Sequence, residues 1–381
     1  MRSSKHIRLF KPSFNHEEIN AIKEVFKKPW LGYGSKVKEF EKKFSKFIGS
    51  NYTVGLNSCT AALHIALAIH KFKKKKKVLV PCMTFSATAA AVLYNNLEPV
   101  FVDINKDDLN ISFEDLKRKY TKDCVAVMAV HFAGHPCKMD KIVPWAKKNK
   151  LIVIEDCAHT CGGTYKNKKL GMWGDFGCYS FEDKKIISTG DGGCITTNNK
   201  KYYELLKSFS FHGWSKDPWE RHLKRNNDKH WFYEIVNLGF KYNMSNLIAA
   251  VATTQLKKLA NLNSHRIKII QKYLNGTKNL KNFSLPLKFN LEKSCYWLFI
   301  LKTKKRDKFI KFLKANGISA TVHLMPLPYH PIYKKFKGLF PNAKETWKEL
   351  VSLPLFTELK QSEINFILSK VKYFDKNYHK F

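Results

Sequence analysis

The chain has 381 residues, of which 44% are hydrophobic and 26% charged; this is enough apolar material for a large core and excludes disordered and fibrous classes. Lys+Arg number 68 against Asp+Glu 31, a formal net charge of +37, which nominates nucleic acid, a membrane surface or an anionic small molecule as partner. Only seven of the basic residues are arginine, so the planar fork used in base readout is scarce, and a lysine bias of the kind an A+T-rich genome encodes accounts for the surplus better than nucleic-acid binding.

Nine cysteines, an odd number without a C-x-x-C pair, predict reduced thiols in a cytoplasmic protein. The N-terminus leads into no apolar signal-like run, and no stretch approaches the roughly 18 apolar residues of a membrane span.

Short apolar runs alternate with amphipathic segments along the chain. Residues 53–56 predict a strand and 60–70 a helix; 78–80 a strand and 87–95 a helix; 100–104 a strand and 113–119 a helix. The rhythm continues through 125–131, a helix with Met139, Ile142, Val143 and Ala146 on one face, and the run 151–154. Strand, helix and strand in repetition predict a mostly parallel sheet covered on both faces. The lysine run 73–77 reads as a solvated loop before its strand. After strands at 177–181 and 194–197, residues 201–242 show no clean period and predict a long loop or lid. Ser245 caps a helix expected over 246–259, and a smaller α/β unit follows. The expected division is a large unit, residues 1–259, and a small unit, residues 260–381.

In such a sheet, ligands lie at the carboxyl ends of the strands. The turn Asn57-Ser58-Cys59-Thr60 opens a helix with free N–H groups suited to an anion, although taken alone a plain helix cap is the better reading. Ser180 could add a hydroxyl, and Phe85 an aromatic plate. Asp156, at the end of its strand, could hold a proton on a ring nitrogen. Lys184 or Lys185, before Thr189-Gly190-Asp191-Gly192-Gly193, could bring an amine. Singly these are ordinary cap or core residues. In this order on one sheet they are the parts that hold pyridoxal phosphate.

At this point the sequence resembles the sugar aminotransferases of the DegT/DnrJ/EryC1/StrS type, fold-type-I pyridoxal-phosphate enzymes with a large sheet domain and a smaller C-terminal α/β domain. Trp30-Leu31-Gly32-Tyr33-Gly34 is similar to the family's "WLTTG", and NSCTAAL at 57–63 to its "NSGTAAL". Residues 81–104, the segment IEDCAH at 154–159, GFKYNMSN at 239–246 and VHLMPL at 322–327 follow the family as well. SFEDKKIISTGDGG, residues 180–193, is similar to "SFxxxKxxxTGEGG", and this match selects Lys185 over Lys184.

The resemblance implies a Schiff base at Lys185, which then serves as the proton-transferring base, and Asp156 on the pyridine nitrogen. It implies Phe85 flat on the ring and His159 near the ring's phenolic oxygen or behind its plane. It places Cys59, Thr60, Ala61 and Ser180 at the phosphate, with Asn243 reaching the same phosphate from a neighbouring subunit, so that a homodimer shares its sites. His323 and Trp30 are the implied substrate contacts. The implied reaction moves an amino group from L-glutamate to a nucleotide-linked ketosugar, at C4 rather than C3 on the strength of His159 and Asn243, for surface-glycan or other aminosugar synthesis; a cyclitol ketone is the alternative. A sugar-dehydrating branch carries histidine in place of the lysine, and Lys185 argues against it.

Cys59 departs from the family's glycine, and residues 182–184 and Pro328 also depart, near the substrate. A nucleic-acid-binding regulator of the same fold is expected to carry an added helix-turn-helix, whereas the first 50 residues resemble the enzyme family's own N-terminal element. Cys157, His159 and Cys161 alternate without a recognised zinc spacing, so no metal is expected.

Overall fold

The computed structural model describes residues 6–28, 30–73, 76–216, 219, 231–291, 295–336 and 338–381. Residues 74 and 75 of the lysine run, and 217, 218 and 220–230 of the expected lid, lie outside the described residues.

Two helices lead the chain, α1 (His16–Phe26) and α2 (Ser35–Ile48). Asn15 starts α1 through a reciprocal cap with Glu18, which satisfies two backbone donors that the first turn leaves open. Alternation then begins: β1 (Tyr52–Leu56), α3 (Cys59–Ala68), β2 (Lys77–Pro81), α4 (Ser86–Tyr94), β3 (Glu98–Val102), α5 (Phe113–Lys119), β4 (Cys124–Val130), α6 (Met139–Lys148) and β5 (Ile152–Asp156). A small hairpin of β6 (Thr164–Tyr165) and β7 (Lys168–Lys169) precedes β8 (Phe176–Ser180) and β9 (Gly193–Thr197).

Seven strands form one sheet in the order β1-β9-β8-β5-β4-β2-β3. β9 runs against both of its neighbours, and the other pairings are parallel. The strands are apolar on both faces because both faces are covered. In β2, Val78 and Val80 enter one core cluster while Leu79 enters another on the opposite side. β4 divides in the same way, Ala126 and Met128 against Val127 and Ala129.

Two expected boundaries move. The segment expected as a loop from 201 contains a helix, α7 (Lys200–Ser210), capped by Asn199 and burying Leu206 and Phe209. So few apolar residues on one face, set among lysines and tyrosines, give too weak a period to read. The helix expected to end at Leu259 runs on as α8 (Asn246–Thr277), a single element across the 259/260 division. Neither glycine nor proline interrupts it before Gly276, and its buried stripe continues through Leu262, Ile269, Ile270 and Tyr273.

The remaining elements are β10 (Phe299–Lys302), α9 (Arg306–Ala315), α10 (Pro341–Thr346), β11 (Leu350–Leu353) and α11 (Gln361–Lys376). β10 and β11 pair antiparallel, and their core takes in Ile7 from the N-terminal segment, which bridges to Ile318. All nine cysteines are unpaired and buried. Among the described residues, no helix is long and apolar enough to cross a membrane.

Candidate active site

The strand ends singled out in the sequence converge on one cavity of about 300 Å³. A larger hollow, about 500 Å³ along α7 and Trp214, holds none of them.

At one end of the cavity is the mouth of α3. Ser58 Oγ accepts from the Ala61 amide at 3.0 Å, which spends the Ala61 N–H on the helix cap. The amides of Cys59 and Thr60 come one turn too early for an intrahelical acceptor, and both residues line the cavity. β9 passes close beneath: a Cβ on Gly193 would sit 2.6 Å from the Cys59 nitrogen, so only glycine lets strand and helix mouth approach this closely. Ser180, ending β8, lines the same region.

Asp156 ends β5 and is buried. One carboxylate oxygen accepts from Thr88 Oγ1 at 2.9 Å and the other from the Ala158 amide at 3.0 Å. Burial nevertheless pushes its carboxyl above the usual range, with those bonds and the Lys185 charge pulling the other way. Among the described residues, no cation comes within ion-pair distance of Asp156.

Lys184 and Lys185 both line the cavity, but the Lys184 side chain is 57% exposed and its Nζ lies 3.6 Å from Glu182. Burial lowers the Lys185 ammonium to about 8 against the pull of Glu182, Asp156 and Cys59. Its Nζ stands 3.9 Å from the centroid of the Trp297 ring. Trp297 in turn stacks on His159, with centroids 4.0 Å apart and planes 15° apart. His159 Nδ1 accepts from the Ala133 amide at 3.4 Å, and burial first, then the Lys185 charge, holds the imidazole well below its ordinary range. His323 closes the far side, bonded through Nδ1 to Ser352 Oγ at 2.9 Å and lowered by burial to about 4.

Phe85 stands at the mouth, 59% exposed, an aromatic face left open beside the cavity. Three expected residues do not line it. Ala61 is held in the α3 cap as described. Trp30 sits at the junction of α2 and α8, its Nε1 donating to the Tyr33 carbonyl at 2.7 Å and its own carbonyl accepting from Asn246. Asn243 lies beside β1, where its Oδ1 accepts from Lys241 at 2.9 Å.

Two residues that sequence reasoning passed over belong to the site. Thr88 lies on α4 and carries no local signal, since its partner Asp156 is 68 positions away. Trp297 lies in an apolar run that reads only as a buried strand.

No zinc-like set forms from the alternating residues: the Cys161 carbonyl and amide bond to the Cys295 thiol, and His159 lies on Trp297. His131, Glu155 and Cys157 do bring ligand atoms within 4.8 Å of one another. Glu155, however, is already saturated by the amides of Gly171, Trp173 and Gly174 and by His131 Nε2, an arrangement that fixes the turn before β8.

Comparison with known proteins identifies the family and fold. The DegT/DnrJ/EryC1/StrS aminotransferase family model matches residues 12–372. An uncharacterised protein of Methanocaldococcus jannaschii is 37% identical over 95% of this chain and 96% of its own. The spore coat polysaccharide biosynthesis protein SpsC of Bacillus subtilis is 33% identical over 95% of each chain. Among solved structures, the sugar aminotransferase Spr1654 of Streptococcus pneumoniae in its PLP form superposes with a TM-score of 0.89 at 26% identity, covering 98% of this chain and 99% of that one.

Proposed function

Since the chain belongs to the DegT/DnrJ/EryC1/StrS aminotransferase family and is a pyridoxal-phosphate-dependent sugar aminotransferase, we propose that it moves an amino group from L-glutamate to the C4 keto group of a nucleotide-linked deoxysugar. The observation that carries the reading is the convergence of the α3 mouth, the Asp156 carboxylate and the Lys185 amine on a single cavity.

The residues present fit the cofactor. Asp156 is a buried carboxylate short of a counter-cation, and a protonated ring nitrogen is such a cation. The open amides of Cys59 and Thr60 suit a phosphate, with Ser180 beside them and Ala61 behind as the cap of the same turn. The exposed Phe85 ring suits an aromatic neighbour. When bound, pyridoxal phosphate supplies an aldehyde that links to amines and a ring that withdraws electrons from the carbon losing its proton.

The chain's own residues do the rest. Lys185 would hold the cofactor, and its Nζ would be the group that moves the proton. An ammonium that titrates at about 8 is close enough to neutrality to both give and take it. Asp156 keeps a proton on the ring nitrogen, and Thr88 orients Asp156. His159 borders the ring as a neutral imidazole. His323 and Trp30 are the substrate-side residues of this reading, with His323 at the cavity and Trp30 outside its own chain's cavity.

The name of SpsC, a polysaccharide biosynthesis protein, supports an aminosugar destined for a surface glycan. His159 and Asn243 support C4 through the family resemblance. A cytoplasmic homodimer is part of the reading: Asn243 lies outside its own cavity, and the rings of Phe85 and Tyr94 are each 59% exposed, as a covering second copy would require. So is a cofactor unit, residues 1–259, tied to a smaller unit, residues 260–381, by α8 and by Ile7. The test is a panel of nucleotide-linked 4-ketosugars with glutamate as donor. One of them is expected to yield an aminosugar, and reaction of a cyclitol ketone with none of the panel overturns the nucleotide-sugar reading.

A further inference from the structure

Trp297 is fixed from three directions. Its amide donates to the Ala133 carbonyl at 2.9 Å, from the turn after β4. Its carbonyl accepts from Arg266 Nη2 at 2.9 Å, while Arg266 Nε takes the preceding Tyr296 carbonyl at 3.0 Å. Its indole Nε1 donates to the Lys184 carbonyl at 2.8 Å. The ring also packs against Phe10, with planes 4° apart, and against the edge of His323. A side chain held at amide, carbonyl and ring presents its face to Lys185 without moving.

We infer that Trp297 is a positioning residue for Lys185, its ring the seat of the amine whenever Lys185 is not bonded to the cofactor, and its N–H the anchor of the Lys184–Lys185 turn. The inference rests on the assignment of Lys185 made above and adds a residue from the C-terminal unit to its control. A π face attracts the ammonium more than the neutral amine. It therefore opposes the burial that lowers Lys185 and holds the amine where both protonation states are accessible. The other groups acting on Lys185 are Glu182, Asp156 and Cys59, which favour the charged form, and Lys184, which opposes it. His159 and His323 also lie within reach of its charge.

The test is competitive acetylation of the full chain stripped of cofactor, followed from about pH 6 to about pH 10, with Lys185 and Lys184 peptides quantified by mass spectrometry. In Trp297→Leu the Lys185 midpoint is expected to fall by about half to one pH unit. In Trp297→Phe, which keeps a smaller and weaker π face and loses the N–H, it falls by less, while the partly exposed Lys184 keeps its midpoint in both. A Lys185 midpoint that stays or rises in a folded variant overturns the inference, a rise meaning that water has replaced the ring to better effect. If Trp297→Leu does not fold, the Phe variant decides alone. Failure of the underlying assignment is read separately, by whether Lys185→Ala abolishes the borohydride-reducible link to the cofactor.

Discussion

The cavity has two walls built by different means. One is the sheet's: the α3 mouth, Asp156 and Lys185 each sit where a strand ends or a helix begins, and they carry open amides, a carboxylate and an amine. The other is largely the C-terminal unit's: Trp297 and His323 carry rings and are set by bonds to Ala133, Arg266 and Ser352, far away in sequence. In the proposed reaction the sheet wall is the one that would exchange protons and bind the phosphate. The ring wall sets the Trp297 face against Lys185, which on the inference above fixes where the amine can stand. Chemistry and positioning are thus supplied by separate parts of the chain, and each can be removed alone.

Removing the amine is the largest expected effect. Lys185→Ala should lower transamination by about 10²–10⁴-fold from the lost proton transfer alone and abolish the reducible link. Lys184→Ala, which removes a side chain that is 57% exposed and lies against Glu182, should keep both. A reducible adduct that persists in Lys185→Ala and disappears in Lys184→Ala would reverse the assignment.

Two glycines then separate the walls. A Cβ at Gly134, where φ is +93°, would lie 2.2 Å from the Cys295 carbonyl, two residues before Trp297. Gly134→Ala should therefore cost roughly 2–4 kcal/mol of stability, seen as a lower unfolding midpoint. A Cβ at Gly193 would instead meet three backbone atoms at 2.6 Å, the Cys59 nitrogen and Ser58 carbonyl carbon at the α3 mouth and the Tyr179 oxygen on β8. Gly193→Ala should weaken cofactor binding about tenfold or more, measured by titration of the stripped chain, beside its own cost in stability. Equal losses of both properties in both variants would mean that the walls are not separable.

The sheet wall was legible because local pattern creates it. Alternating apolar runs placed β2, β4 and β5 within a residue or two, and their ends pointed to Asp156 and, with the family motif, to Lys185. The ring wall was not legible. Trp297 reads as one more apolar residue before β10, and its partners are 113 positions away at Lys184 and 31 at Arg266. Thr88 is hidden for the same reason. Ala61 was correctly placed at the α3 turn, but the pattern could not tell that Ser58 uses its amide for the cap. Trp30 and Asn243 came from motif resemblance alone, and within one chain they stand outside the cavity.

Acid should act on the two walls with opposite sign, the smallest effect and the most discriminating. Burial lowers His135 to about 3 and His323 to about 4, and it holds His159 well below its ordinary range. Unfolded, each titrates near 6.5, so between about pH 6.5 and about pH 4 the unfolded chain binds more protons than the native one. Their contribution to stability is complete above about pH 6.5 and is lost as the pH falls toward the folded values. Asp156 works the other way. Its raised carboxyl binds its proton more readily in the native, cofactor-free chain than in the unfolded one, so acid favours the native state there and rising pH disfavours it. His135 packs against Tyr296, beside Trp297, with the ring planes tilted by 41°, and among the described residues its Nε2 has no partner. His135→Phe keeps the ring packing and removes the titration, so its urea midpoint should fall less than the wild type's between pH 7 and about pH 4.5. Asp156→Asn removes the opposing contribution, so in the stripped chain its midpoint should fall more steeply over the same interval. Parallel acid slopes in all three proteins would show that neither wall is held by the protonation states assigned to it.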